Sequence, residues 1–280
     1  MGWRTFKFKV IVKLWPLGGI SKKLARLPVL GKMLGPLWWN ERNLDATYIP
    51  IGEAVEVREG SVLPYQIIEE LVGHASSLFI IERCVCRTAF KCRNHPREIG
   101  CIFMGDAAGD IPGEIGRPVT ADEALDHVRR ARNHGLLPCV IHSSFDATLV
   151  GIDYRKMLTT CFCCNCCCVF RTDMKGGPVA YRDRIIRLPG LQMETLGNCS
   201  GCGNCAETCF VGAIEVGGEG PDFAEFCKGC GRCADVCPNK NILIRLDPDV
   251  ETRRILLERI GARTDISWVS SQDHGDEESV

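Results

Sequence analysis

The sequence has no apolar run near the roughly 18 to 20 residues needed to cross a bilayer, which excludes a spanning helix. Its N-terminus carries basic residues but no uncharged apolar stretch leading to a small-residue cleavage site. No secretory signal is therefore expected, and a reducing, cytoplasmic setting is. Neither sign of charge predominates: 34 Lys and Arg stand against 35 Asp and Glu, so nothing global points to nucleic acid. No dinucleotide loop is present, since Gly105-Asp-Ala-Ala-Gly109 lacks the G-x-G-x-x-G spacing. The C-x3-C-x2-C spacing of radical enzymes is missing as well, because Cys164 and Cys168 are followed by Arg171, and Cys163 and Cys167 by Phe170. What the chain has in excess is cysteine, 19 in 280 residues. In a short secreted chain that count would mean a disulfide scaffold; in a chain long enough for one or two domains with ample core, metal ligation fits better.

The densest signal runs from Cys199 to Pro238. Cys199, Cys202, Cys205 and Cys209 are spaced C-x2-C-x2-C-x3-C, and Cys227, Cys230, Cys233 and Cys237 repeat the pattern. Three thiolates at that spacing wrap one face of an iron–sulfur cubane, and the x3 step sends the fourth thiol to a neighbouring cluster. Structural zinc takes four ligands in paired knuckles and has no use for eight cysteines so arranged. Over roughly residues 188 to 247 the chain resembles a bacterial-type two-[4Fe-4S] ferredoxin. That resemblance implies crossed ligation, with Cys199, Cys202, Cys205 and Cys237 on one cluster and Cys227, Cys230, Cys233 and Cys209 on the other. One departure is Phe210, where the family usually has proline as at Pro238. Gly201, Gly203, Gly229 and Gly231 lie between ligands, where a missing side chain lets backbone N–H groups approach sulfur. Lys228 and Arg232 interleave the second run, and a nearby cation favours its reduced state. The strands expected here are Gln192 to Thr195 with Ile242 to Leu246, and Ala213 to Val216 with Asp222 to Phe226.

Two further arrays lie upstream. Cys84, Cys86, Cys92 and Cys101 form C-x-C-x5-C-x8-C in a loop after the apolar Leu78 to Ile81, a spacing that matches no standard zinc finger or ferredoxin rule. Cys161, Cys163, Cys164, Cys166, Cys167 and Cys168 fall within eight residues, and side chains so close in sequence cannot all face a core. Within that run Cys161, Cys164 and Cys167 have the spacing of the first three cubane ligands, with Arg171 where a fourth would stand. The two arrays are expected to face each other across one site holding one or two additional iron–sulfur clusters, with Cys84, Cys86, Cys92, Cys101, Cys161, Cys164 and Cys167 as metal ligands. Cys139 reads as a buried structural thiol. Residues 60 to 175 loosely resemble the Cys-rich modules joined to dicluster ferredoxin ends in anaerobe proteins, a likeness that assigns no activity.

Elsewhere the pattern is helical and strand-like by turns. Glu53 to Arg58 alternates as a strand, Ile67, Ile68, Leu71, Val72 and Ala75 share one helical face, and Thr120 with Glu123 forms a capping box opening a helix over 121 to 133. Gly135 can end that helix and Pro138 bars its resumption, so Cys139 to Phe145 reads as the next strand. His127, His134 and His142 fall at no ligand spacing. Residues 249 to 262 resume a helical pattern, and an acidic tail follows. Residues 1 to 40 hold eight basic residues and four of the five tryptophans, with no acid before Glu41. They suit a membrane surface or a partner subunit.

The fold class expected is α+β: a basic Trp-rich arm (1–45), a small α/β Cys-rich module (46–178), a ferredoxin-like two-cluster domain of two short hairpins and two short helices (186–247), and a C-terminal helix with its acidic tail (248–280). The function expected is electron transfer: single electrons pass through two [4Fe-4S] clusters and a further Cys-ligated cluster in a subunit of an anaerobic redox complex. Its partners are a flavoprotein, a ferredoxin or a quinone-linked protein, on the inner face of the cell membrane if the arm binds lipid. No residue is assigned a catalytic role. The alternative is an oxidoreductase whose atypical cluster or thiol/disulfide site, within residues 84 to 168, is fed by the ferredoxin domain; a sensor using the spare thiols is a third reading.

Overall fold

The computed structural model describes residues 2–17, 43–50, 55–56, 64–174 and 182–266. It begins with helix α1 (Trp3–Leu14), strands β1 (Leu44–Tyr48) and β2 (Val55–Glu56), and helix α2 (Pro64–Gly73). Strand β3 (Leu78–Ile81), helix α3 (Val85–Ala89), strands β4 (Ile102–Met104) and β5 (Gly116–Pro118), and helix α4 (Ala121–Asn133) follow. Next come β6 (Leu137–Ser143), α5 (Ser144–Val150), β7 (Leu158–Cys163) and α6 (Val169–Met174). The C-terminal part contains β8 (Leu191–Thr195), α7 (Asn204–Thr208), β9 (Ile214–Gly217), β10 (Gly220–Phe223), α8 (Arg232–Asp235), β11 (Ile242–Leu246) and α9 (Thr252–Gly261). Helices and strands are mixed along the chain, consistent with the expected α+β class. The strand over 53 to 58 is described only at β2, and the expected end of the Cys-rich module at 178, the acidic tail and residues 18–42 of the basic arm lie outside the described residues.

Six strands form one sheet in the order β1-β6-β7-β4-β3-β5, and every neighbouring pair is antiparallel. The upstream module was expected to read as α/β, but its sheet has no parallel pair: β4 returns beside β3 and β7 beside β6, each antiparallel. Both faces of the sheet are covered, which is why Leu78 to Ile81 is apolar without alternation. On one face Leu78, Ile80, Ile102 and Met104 pack with Ile67, Ile68 and Leu71 of α2 and Ala124, Val128 and Ala131 of α4. On the other, Phe79, Ile81 and Phe103 pack with Ala107, Ile111 and Val150, and α1 lays Phe8, Ile11 and Val12 against them, with Trp15 just past its end.

Helix α4 starts as its sequence demands: the Glu123 N–H donates to Thr120 Oγ1 at 3.3 Å while the Thr120 N–H donates to Glu123 Oε2 at 2.9 Å. It stops at Gly135, whose φ of +64° suits the residue without a side chain. Strand β6 then begins two residues before Cys139, so Pro138 lies within it, and it ends where Ser143 caps α5 by accepting from the N–H groups of Phe145 and Asp146.

The C-terminal strands pair as expected. β8 and β11 are antiparallel, with Ile242 opposite Thr195 and Leu246 opposite Leu191, and β9 pairs with β10, which stops at Phe223. β2 adds to β11 in parallel, so a strand from the upstream half joins the β8–β11 pair. One continuous apolar cluster runs from α2 and α4 through Tyr48 and Phe210 to Ile242, Ile244 and Leu256. Phe210 is central to it. In place of the usual proline, its ring is 5 % exposed, meets the edge of Tyr48 at 5.6 Å between centroids, and carries the Arg171 guanidinium 4.4 Å above it.

Gly100 leads into Cys101 and lies against β3, where a Cβ would overlap the Ile81 carbonyl. Gly100→Ala is expected to destabilise the chain by about 1–3 kcal/mol, the usual cost of forcing extra volume into a packed site. Chemical denaturation of the two proteins measures this; an unchanged midpoint would show that the loop does not need this approach.

Candidate metal centres

In each C-terminal half a glycine in the left-handed region opens a short helix: Gly203 (φ +76°) before α7 and Gly231 (φ +79°) before α8. Cys205 and Cys233 lie in the first turns, and Cys209 and Cys237 come just after the helices end. The x3 step is thus a helical turn that carries the fourth thiol away from its own loop. Cys199, Cys202, Cys205 and Cys237 line a single small pocket, with Gly203, Val216 and Asn241 among its other walls. Cys237 therefore stands with the first three thiols although it belongs to the second run. In the other half the charge of Cys209 acts on Cys227, Cys230 and Cys233, which places it beside that trio.

Backbone amides serve the two halves alike. The Gly201 N–H donates to Cys199 Sγ and the Gly229 N–H to Cys227 Sγ, both at 3.4 Å. Those of Ala213 and Asn241 donate to Cys209 and Cys237 Sγ, both at 3.3 Å. Gly229 has no room for more, since a Cβ there would come 2.8 Å from Leu191. Burial pushes the Cys205, Cys227, Cys230 and Cys233 thiols above the ordinary range. Bare thiolates there are costly, and a metal or a cation must offset them. A cavity enclosed by four thiols and lined with amide donors fits a thiolate-bound cluster.

Cations are close by. Lys228 and Arg232 are each only 8 % exposed rather than ordinary surface charges. Arg171, from the upstream half and 3 % exposed, donates to the Thr208 carbonyl at 3.1 Å, and its charge pulls the Cys230 thiol down against the upward push of burial. Its Nε and Nη1 are buried without a hydrogen-bond partner in the structure.

Upstream, the two arrays do meet, but they sort into smaller groups than expected. Cys92, Cys164, Cys166 and Cys167 draw their sulfurs to within 4.8 Å of one another, and Cys92 Sγ and Cys166 Sγ are 3.5 Å apart. Of the first array only Cys92 joins this group, and Cys166 takes the place expected for Cys161. Cys161 instead faces Cys101, sulfur to sulfur at 3.1 Å. Cys84 and Cys86 pair at the start of α3. The Cys86 thiol, burial acting against it, and the Arg87 charge together bring the Cys84 thiol down to about 6. Cys139 is buried as expected, opposite Cys161 in the sheet, and shares sulfur contacts with Cys163, which in turn contacts Cys168. The signal for Cys166 was its place in Cys164-Asn165-Cys166-Cys167: a tight turn there brings thiols two and three residues apart to one side, which the cubane spacing alone did not suggest. His127 and His142 are engaged with the carbonyls of Gly100 and Tyr154 at 2.8 and 2.9 Å and take no part.

The comparison with protein families gives one match, a 4Fe-4S binding domain over residues 223–243. It covers Cys227, Cys230, Cys233 and Cys237, so the second ligand run lies in an iron–sulfur segment of the electron-transfer kind. No curated protein and no solved structure matches the chain.

Beside Cys161 and Cys139 lies Asp146, whose carboxyl burial raises to about 7 and whose Oδ2 has no hydrogen-bond partner. An acid with a folded-state pKa above its unfolded one favours the fold below its unfolded pKa, and that support is lost as pH rises through about 7. Asp146→Asn is expected to raise the unfolding midpoint at pH 8 and to leave it unchanged near pH 3. Equal midpoints at both would show that the carboxyl stays solvated.

Proposed function

We propose that the chain relays single electrons through two neighbouring [4Fe-4S] clusters held by crossed ligation, and that its upstream arrays hold a further thiolate-bound metal centre. The observation that carries the reading is the cavity shared by Cys199, Cys202, Cys205 and Cys237, in which a thiol from the second run completes the first. When bound, each cluster takes up and returns one electron at a potential that its surroundings set. The chain supplies those surroundings. Amides of Gly201, Ala213, Gly229 and Asn241 hold the thiolates, while Ile242 and Val216 wall the first cavity against water. Arg171, Lys228 and Arg232 place buried positive charge by the second trio and favour its reduced form.

Such a relay works between partners, and we assign the chain to an anaerobic redox complex with a flavoprotein, a ferredoxin or a quinone-linked protein on either side. Residues 190 to 247 carry eight acids against four bases, opposite in sign to the N-terminal segment, so the two ends suit different surfaces. Among the described residues no helix is long and apolar enough to cross a membrane. α1 instead exposes Trp3, Phe6, Val10 and Leu14 while its other side packs on the sheet, and Lys7 and Lys13 are exposed beside that stripe. Apolar side chains flanked by lysines suit the anionic inner surface of the cell membrane. The second reading, an oxidoreductase with a thiol/disulfide site, draws support from the approach of Cys101 to Cys161 and the lowered Cys84 thiol.

Two experiments test the relay and its setting. Crossed ligation predicts that the double variant Cys199→Ala/Cys237→Ala loses about four irons with their sulfide, whereas Cys227→Ala/Cys237→Ala, one ligand from each cluster, impairs both. Loss of a single cluster in the second variant and of both in the first would mean that each run closes on its own cluster. For the membrane, the full chain is expected to co-sediment with phosphatidylserine vesicles on the order of tenfold more than Trp3→Ser/Phe6→Ser does, and to release with salt. Equal binding by both proteins would assign the stripe to a partner subunit.

A further inference from the structure

We infer that Cys92, Cys164, Cys166 and Cys167 hold a single divalent ion of the zinc or ferrous class in a tetrahedral four-thiolate site. This rests on the reading that the upstream arrays bind metal, and not on the two C-terminal clusters.

Distance separates a lone ion from a cluster. Four sulfurs about 2.3 Å from one ion stand about 3.8 Å from each other. Four thiolates on the corners of a cubane stand about 6.5 Å apart, because the cluster's own atoms lie between them. All four sulfurs here are within 4.8 Å of one another, inside the cubane distance and open enough for the ion. Among the described residues no other three cysteines are drawn so close, the eight C-terminal ligands included. Cys199, Cys202, Cys205 and Cys237 line one pocket without drawing together in this way.

The surroundings prepare the thiolates for metal. The Cys167 N–H donates to Cys164 Sγ at 3.2 Å, and the N–H groups of Asn94 and His95 point at the Cys92 sulfur. Each is the turn in which a thiolate receives amides from residues two or three further on. His95 is already engaged, with Asn165 Oδ1 and the His134 carbonyl each 3.1 Å from a ring nitrogen. It is a positioning residue that ties the Cys92 loop to the turn carrying the other three thiols.

Charge closes as well. A divalent ion with four thiolates carries about two negative charges. Arg87, 1 % exposed and bonded to the carbonyls of Phe162 and Ile99, contacts Cys164, and the charge of Arg232 also acts on Cys164. A four-thiolate cubane in its oxidised state carries a similar charge, so the charge permits the site and the distance decides what occupies it.

The test is metal and acid-labile sulfide per chain, measured on the full protein purified without oxygen from cells supplied with iron and zinc. Clusters contribute the two in equal amounts, so the inference predicts that metal exceeds sulfide by about one per chain. Cys166→Ala, at the exposed ligand, is expected to remove that excess and leave sulfide unchanged, and cobalt loaded at the site should give a thiolate charge-transfer band absent from the variant. The unaltered protein's ratio needs no variant to fold. If the C-terminal clusters were absent, sulfide would vanish while the lone ion remained, so the two readings fail separately. The inference is overturned by metal equal to sulfide with both falling together in Cys166→Ala, which is a cluster, or by no excess metal with Cys92 recovered in a disulfide.

Discussion

Negative charge on sulfur, buried and offset, is the constraint around which this molecule is arranged. Nineteen cysteines are spread over a chain of balanced overall charge, and most are buried or half-buried. A thiolate out of water is tolerated only where amides, cations or a metal take the place of hydration. The chain supplies amides through left-handed glycines and tight turns, and cations through Arg87, Arg171, Lys228 and Arg232, whose own burial would be costly without sulfur to face. Neither partner is stable inside without the other, which ties the order of these loops to one another.

The same constraint joins the two halves. Arg171 leaves α6 upstream and reaches Cys230 and the Thr208 carbonyl, and Arg232 leaves α8 downstream and reaches the Gly135 carbonyl and the field of Cys164. Phe210 fills the space between with its ring against Tyr48. Where the second cysteine run has proline after its last thiol, the first has an aromatic anchor for the upstream sheet. The departure from the ferredoxin pattern is thus a contact between halves, and it brings the upstream thiols close to the second C-terminal trio, with Cys139 near enough for Cys230 to act on it.

Much of this was legible in the residues. Repeated C-x2-C-x2-C-x3-C spacing marked both trios, the second of which lies in the matched 4Fe-4S segment, and the resemblance to a ferredoxin implied that Cys237 would stand with the first trio, where the shared pocket has it. The Thr120 capping box, the apolar face of α2 and the β8–β11 pair came from local periodicity and hold in the structure. What periodicity could not reach was partner choice among sulfurs set by sheet register. Cys101 meets Cys161 because β4 lies beside β7, and Cys92 meets Cys166 because a loop folds back over a turn, pairings at separations of 60 and 74 residues. Spacing read as a cubane trio therefore included Cys161 and passed over Cys166. The all-antiparallel sheet was hidden for a similar reason: strands covered on both faces look alike whichever way their neighbours run.

The central claim is that the eight C-terminal thiols enclose two cubanes close enough to sense each other. Electron paramagnetic resonance of the fully reduced protein tests it most directly. Two adjacent reduced clusters give a broadened spectrum split by their magnetic interaction, simplifying to a single rhombic signal when only one is reduced. Two sharp, independent signals at full reduction, or no iron signal at all, would contradict the account.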